Sequence, residues 1–446
     1  MTGDFRPLGR TLALWRKDIA HRVRAAMILF YVLVLLMPFL NPPFLSRFVS
    51  DTAAFKVLGA ACVPYAVFHL VVRGSLSPYL RTWQARLFGL LYLLATASYF
   101  TRGFRWDIYS SSWMSYTSFV LLFFIVLSIV DTLPRVRWVL LSANAAVALG
   151  SLRIIEEWWR FRSSNPSYRA GASVGDGNYF SITAALCLPF AFLMMLHSKK
   201  PWERLFHGAC LALSLFGVTL CQSRGGTLAM AAAFLYLVAR TRRRVRNLIL
   251  LTAVVVPLMI LSPSSPLRRF FHPDWTDKLS TEYHITAWKV GLRMIEIHPL
   301  FGIGLGNFKP MMHWYSPPGT PWSTIAHNSF LEVAAELGLP ALGVFVGILV
   351  FTYLSLGRAG RRAWIAGDRA MYLATLGLQA GFVGYLVGAC SISAQYAKLF
   401  WLVIFLSMCL PHVLSVRRTP QRAKGGSSLT PNLVGVQATM AKEPRE

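Results

Sequence analysis

Two short polar patterns in this chain have residue types suited to chemistry on a charged substrate. His327 and Asn328 stand directly ahead of Ser329-x-x-Glu332, a capping-box pattern that predicts a helix N-terminus. Backbone N–H groups exposed at such a terminus favour anions such as phosphate and disfavour an imidazolium. A neutral His327 beside a bound phosphate ester is suited to act as a general base; the plainer reading is that it decorates the cap. Arg224 lies in Ser223-Arg224-Gly225-Gly226, where the glycines let backbone or ligand approach closely. Its guanidinium stays charged and matches phosphate oxygens in two-point contacts. An arginine at a membrane boundary also snorkels to headgroups without further function.

The elements that must position these residues are almost entirely apolar. The chain has 446 residues, 55% of them hydrophobic, and a mean hydropathy of +0.49. Its apolar residues fall into about twelve blocks separated by short basic stretches, the pattern of a polytopic helical membrane protein. The blocks lie near 25–46, 52–73, 83–100, 113–131, 136–155, 179–196, 205–222, 225–239, 247–262, 329–356, 371–390 and 396–416. Backbone inside a bilayer must satisfy its own hydrogen bonds, so each block is read as a helix. The expected fold class is all-α, with about twelve transmembrane helices and a large outer loop. The first block is long and has no small-residue cleavage site, so it is expected to remain as a helix.

A net charge of +27 invites a nucleic-acid reading, but its distribution argues against one. With the N-terminus inside, the inner segments hold most of the lysines and arginines, including the run Arg240–Arg246, while the longer outer loops hold fewer. That asymmetry is the positive-inside rule, and it predicts both termini in the cytoplasm. The basic run is expected to anchor near anionic lipid headgroups, with membrane lipids as partners and no nucleic acid. The six cysteines fall in or beside apolar blocks, and none has metal-ligand spacing. They are read as small apolar fillers.

Along the chain, 1–24 is a basic lead-in, 25–416 the membrane body, and 417–446 a Pro-, Gly- and Ser-containing tail expected to be disordered. Two outer loops stand out, about 153–178 and about 263–328. The first carries Arg153, Glu156, Glu157, Arg160, Arg162, Arg169 and Asp176 around Trp158 and Trp159. In the second, Ile285, Trp288, Leu292 and Ile295 share one apolar face, so 281–298 is expected to be an interfacial helix. Lys289 and Arg293 fall on another face, and Pro299 and a flexible glycine turn, Gly302 to Asn307, follow. The turn lacks the strand, helix start and acidic partner of a dinucleotide site. Gly338 and Pro340 interrupt the next block, so 329–337 is expected to be a short helix dipping into the protein. Glu336 would then lie at membrane depth and need a partner.

Taken together and in order, Ser223-Arg224-Gly225-Gly226, Pro299-Leu300-Phe301-Gly302-Ile303-Gly304-Leu305-Gly306-Asn307-Phe308 and His327-Asn328-Ser329-Phe330-Leu331-Glu332 resemble the O-antigen ligase family. Glu336-Leu337-Gly338-Leu339-Pro340 extends the likeness, and Gly175-Asp176-Gly177-Asn178-Tyr179-Phe180 resembles a segment common in relatives, so the similar region runs over about 170–350. The superfamily joins lipopolysaccharide O-antigen ligases, polysaccharide polymerases and protein O-oligosaccharyltransferases.

The resemblance implies a GT-C-like, metal-independent, inverting glycosyltransferase that needs no cofactor. Its substrates would be an undecaprenyl-diphosphate-linked glycan and a lipid or glycan acceptor, such as the lipid A core. Its place would be the bacterial inner membrane, with the site facing the periplasm. Arg224 matches the family's diphosphate-contacting arginine and His327 its proposed base. Asn328, Asp176 and Asn178 lie in the matching motifs and are expected to bind substrate. Four residues before Trp288, where the family often has arginine, this chain has His284. The second cation is then expected from Lys289, Arg293, Arg268 or Arg269. A polymerase joining repeat units would use the same chemistry on another acceptor. A transporter fits less well, because the charges gather in the outer loops rather than mid-membrane in two related halves.

Overall fold

The computed structural model describes residues 25–37, 59–67, 77–101, 106–165, 168–241, 275–318 and 323–416, with short pieces at 244–246, 248–249 and 252–253. No strand occurs among them. The chain passes through α1 (Trp83–Thr101), α2 (Trp106–Ile129), α3 (Leu133–Phe161), α4 (Gly177–His197), α5 (Pro201–Leu220) and α6 (Arg224–Ala239). It continues through α7 (Trp275–Ile297), α8 (Phe308–Tyr315), α9 (Ser329–Leu337), α10 (Leu339–Ile365), α11 (Arg369–Ala389) and α12 (Lys398–Val416). Local chemistry sets the boundaries. Proline opens α5 and stands in the first turn of α3 and α10, where its missing N–H costs nothing. Asp176 and Asp368 cap α4 and α11 by accepting backbone N–H bonds.

Six helices among the described residues are long and apolar enough to cross a membrane: Ser112–Ile129, Leu133–Phe161, Gly177–His197, Leu339–Ile365, Arg369–Ala389 and Lys398–Ser415. The count of twelve is therefore not reached on length and composition. α6 is apolar but has 16 residues. α1 and α5 are diluted by polar residues such as Gln84 and Arg86, or Glu203, Arg204 and His207. Most of the blocks at 52–73 and 247–262, the lead-in, the tail, Arg268 and Arg269 lie outside the described residues.

The first outer loop is shorter than the sequence suggests, because α3 continues to Phe161. Glu156 pairs with Arg153 one turn before it and Arg160 one turn after it. Such i, i+3 and i, i+4 pairs extend a helix that apolar patterning would end near residue 155.

Two packing schemes hold the body. α11 lies against α4 and α6 through Gly377, Gly381, Gly384 and Gly388, which recur on one helical face. A Cβ at Gly381 would overlap the Leu186 carbonyl of α4, and one at Gly384 the Ala229 carbonyl of α6. Close backbone contact through small residues is how helices associate where lipid competes for apolar surface. On the other side, α1, α2, α10 and α12 meet in an aromatic cluster. Trp401 is fully buried there, with Phe88 at 5.2 Å and Phe119 stacked at 5.2 Å; its indole N–H donates to the Gln395 carbonyl at 2.8 Å.

Overpacking a close contact typically costs about 1–3 kcal/mol, occasionally more. Gly381→Val is therefore expected to lower both membrane yield and melting temperature in detergent. Gly343→Ala on α10, where an added Cβ meets nothing within 4 Å, should leave both near wild type. Equal behaviour of the two variants would show that the α11–α4 backbone contact does not hold the bundle.

Candidate active site

Helix α9 has nine residues and both its ends are satisfied by the protein. Asn328, not Ser329, is its cap: the Asn328 Oδ1 accepts from the Phe330 and Leu331 N–H groups at 3.0 and 3.1 Å. Ser329 instead donates to the Ile392 carbonyl and accepts from the Ala394 N–H, each at 2.8 Å. Ser393 donates to Glu332. The segment after α11 has thus displaced the expected capping box, because a buried hydroxyl and carboxylate are satisfied across the fold as well as along the helix.

The C-terminal end of α9 is received by the glycine turn. Ile303 N–H donates to Ala335 O at 2.9 Å and Gly304 N–H to Glu336 O at 3.0 Å. A Cβ at Gly302, whose φ is +64°, would collide with the Glu336 backbone. The buried Glu336 carboxylate accepts from the Phe308 N–H at 3.1 Å, and Tyr396 donates to it at 3.4 Å. The turn read as flexible and without a following helix is therefore pinned, and α8 starts directly after it at Phe308; it supplies the donors that the last carbonyls of α9 need.

The N-termini of α4 and α6 lie side by side. Gly226 has no room for a Cβ against Ser181 of α4, and Gly225 none against Ser391. Arg169 ties the two starts together: its Nε donates to the Cys221 carbonyl at 2.9 Å and its Nη2 to Asn178 Oδ1 at 2.6 Å. Glu157 shapes the turn after Arg169, accepting backbone N–H bonds from Gly171, Ala172 and Ser173 and a hydroxyl bond from Tyr168.

Helix α7 closes the arrangement. Arg224 Nη2 donates to Thr281 Oγ1 at 3.3 Å. One turn along α7, the His284 ring stacks on His327 with centroids 4.3 Å apart and planes 18° apart. Thr324 Oγ1 lies 3.1 Å from His327 Nε2. Gln222 and His327 are the non-glycine residues with positive φ among the described residues, at +49° and +51°. Each immediately precedes the cap of a helix, Ser223 for α6 and Asn328 for α9. Backbone in this region costs about 1–3 kcal/mol and gathers at functional sites.

Burial lowers the pKa of His327, while the charge of Asp176 pulls it the other way. Burial lowers His284 to about 4, with His327 and Arg224 adding to the shift. Both rings are therefore neutral near pH 7. Among the described residues, no three His, Cys, Asp or Glu side chains gather to hold a metal ion.

The structure thus brings Arg224, His284 and His327 together, with Asp176 and Asn178 at the adjoining start of α4. The side-chain oxygen of Asn328 is engaged in capping. Lys289 and Arg293 are not brought in. At about 100° per residue they lie roughly 140° and 180° around α7 from His284, and both are exposed, while Ala287, Val290 and Met294 are buried. Arg169 is the cation that sequence reading left out of the site. Its place in a polar loop ahead of Asp176 was visible, but its contact with Cys221 was not. Thr281 and Thr324 gave no sequence signal.

Among the described residues, six helices are long and apolar enough to span a membrane, and Arg224 and the two stacked histidines gather beside adjoining helix starts. Residues 209–346 match the family model described as O-antigen ligase. The match takes in the motifs from Ser223 to Pro340 and not Gly175–Phe180, and it supports a membrane enzyme of O-antigen ligase or polymerase type, a family whose substrates are a lipid-linked glycan and an acceptor. No curated protein matches the chain.

A lowered pKa keeps the His327 imidazole unprotonated below the ordinary histidine value of about 6.5. With His327 as base, kcat/KM should hold from pH 7 down through about 6.5 and fall only as the ring takes up a proton at lower pH. An acid limb centred above that value would contradict the assignment.

Proposed function

We propose that this protein transfers a glycan from undecaprenyl diphosphate to an acceptor hydroxyl, such as that of the lipid A core, at the periplasmic face of the bacterial inner membrane. The observation that carries this reading is the contact of Arg224 with α7 beside the stacked pair His284 and His327. His327 takes the proton of the acceptor hydroxyl, and the acceptor oxygen attacks the anomeric carbon from the face opposite the diphosphate. The bond from that carbon to the diphosphate oxygen breaks, its electron pair leaves with the diphosphate, and the configuration inverts. Arg224, with Arg169 at the same helix mouths, stabilises the charge growing on the leaving group, so no metal is required. The body has a GT-C-like arrangement with both termini in the cytoplasm. A polymerase would run the same steps on a growing glycan, and the acceptor alone separates the two.

His327→Ala should lower transfer by roughly 10²–10⁴, the usual contribution of a positioned base, in protein that is still inserted and monodisperse. Near-wild-type transfer by such protein would return His327 to a structural role.

Arg224→Lys is the sharper comparison. The lysine keeps the charge and still snorkels, so a boundary role predicts little change. Loss of a charge-assisted, two-point contact costs on the order of 1.5–3 kcal/mol, or roughly 10- to 150-fold in rate. The assay uses purified lipid-linked glycan with and without chelator. Equal rates for the variant and wild type would remove Arg224 from the site, and strict dependence on a divalent cation would undo the arginine-based account.

Ser316 follows α8 near the site, whereas Gly367 joins α10 to α11 at their far ends. A cysteine placed at Ser316 should react with an impermeant thiol reagent applied from outside, and one at Gly367 should not. The reverse pattern would invert the orientation.

A further inference from the structure

The end of the bundle away from His327 holds a second, open cleft. α6 starts at Arg224 and α10 just after α9, so both run away from the histidine pair, and α11 begins where they end. Between the C-terminal parts of α6 and α10 and the first half of α11 lies a cavity of about 1020 Å³, at the upper end of the roughly 300–1,000 Å³ usual for ligand pockets. Arg240, Arg244, Arg358 and Arg361 line it, and no acidic side chain does so among the described residues. Four like charges around one space repel one another, and a bound anion relieves that repulsion.

The rest of the lining says what kind of anion fits. Leu356 and Leu376 form an apolar inner wall. The polar groups nearby are satisfied within the protein: the Tyr236 and Tyr353 hydroxyls lie 3.0 Å apart, and Gln379 Nε2 donates to the Tyr353 carbonyl at 3.2 Å. At the outer edge Leu354, Trp364 and Ile365 line the same cavity yet are 47%, 43% and 61% exposed. Guanidinium groups beside exposed aliphatic and indole surface match a phosphate that carries hydrocarbon, not a free ion. Tryptophan favours the headgroup level of a bilayer, and basic pockets between membrane helices on the cytoplasmic side take acidic headgroups.

We propose that this cavity binds an acidic phospholipid. The arginines hold its phosphate, and its acyl chains leave past Leu354 and Ile365. The proposal uses no residue of the transfer site and shares with the transfer reading only the orientation of the bundle.

The test uses the full-length protein in neutral detergent, with phosphatidylglycerol, phosphatidylcholine or inorganic phosphate added in turn. Bound lipid is read by native mass spectrometry and stabilisation by thermal unfolding. Phosphatidylglycerol should be retained and raise the melting temperature, with phosphatidylcholine and phosphate doing neither. The double variant Arg358→Gln, Arg361→Gln should bind phosphatidylglycerol at least about tenfold more weakly, the effect of losing one charge-assisted contact or more. Undiminished retention by the folded variant would overturn the proposal, as would equal retention of phosphatidylcholine by the wild type. Stabilisation by inorganic phosphate alone would make this a soluble-anion site and overturn it equally. If the double variant does not fold, the comparison of headgroups on the wild type decides.

Discussion

A helix end buried in an apolar bundle has to find hydrogen-bond partners inside the protein, and the arrangement of this site follows from that requirement at α9. The nine-residue helix has both ends met by protein groups. Its start is capped by Asn328 and held by the segment around Ile392 and Ala394; its end is met by Ile303 and Gly304, with Ser98 donating to the Glu336 carbonyl at 2.8 Å. His327 is the residue left over just before the cap. It is turned into the left-handed region, where its ring meets His284.

The same requirement explains the motifs that most resemble a known family. Gly302 and Gly338 allow the turn and the helix end to touch backbone to backbone, and Gly225 and Gly226 let α6 settle against Ser391 and Ser181. These glycines remove side-chain bulk where two segments must share hydrogen bonds, and so set Arg224 at a fixed distance from α7. A longer residue at such a position would move the arginine or the histidine, and positioning errors of about 1 Å can cost 10²-fold in rate.

Charge is divided between the two ends of the bundle. At the end that holds Arg224 and His327, a few cations are engaged by carbonyl, amide and hydroxyl oxygens, as with Arg169 on Cys221 and Asn178 and Arg224 on Thr281, and the histidines are neutral. At the other end four arginines face one cavity without a carboxylate among its lining residues. The first arrangement suits charge that develops during a reaction, because its donors are already oriented. The second suits a standing anionic partner.

Much of this was legible in the sequence, because it depends on local patterning. Apolar periodicity and Pro299 gave an expected helix at 281–298 against the observed Trp275–Ile297, and Gly338 with Pro340 marked off Ser329–Leu337. Arg224 and His327 were named from residue type and spacing, and Asp176 and Asn178 from the resemblance of the segment that holds them. Tertiary structure decided the rest, since each point turns on contacts between segments far apart in the chain. Arg169 gained its place from the Cys221 carbonyl, 52 residues on. Ser329 left the cap for Ile392, 63 residues on. Lys289 and Arg293 were left exposed when Ala287, Val290 and Met294 of α7 became the buried residues. The glycine face of α11, regular as it is in sequence, takes on meaning only where the Leu186 and Ala229 carbonyls press against it. Sequence fixes what each segment prefers by itself; which buried donor meets which acceptor is settled only when all the segments are packed at once.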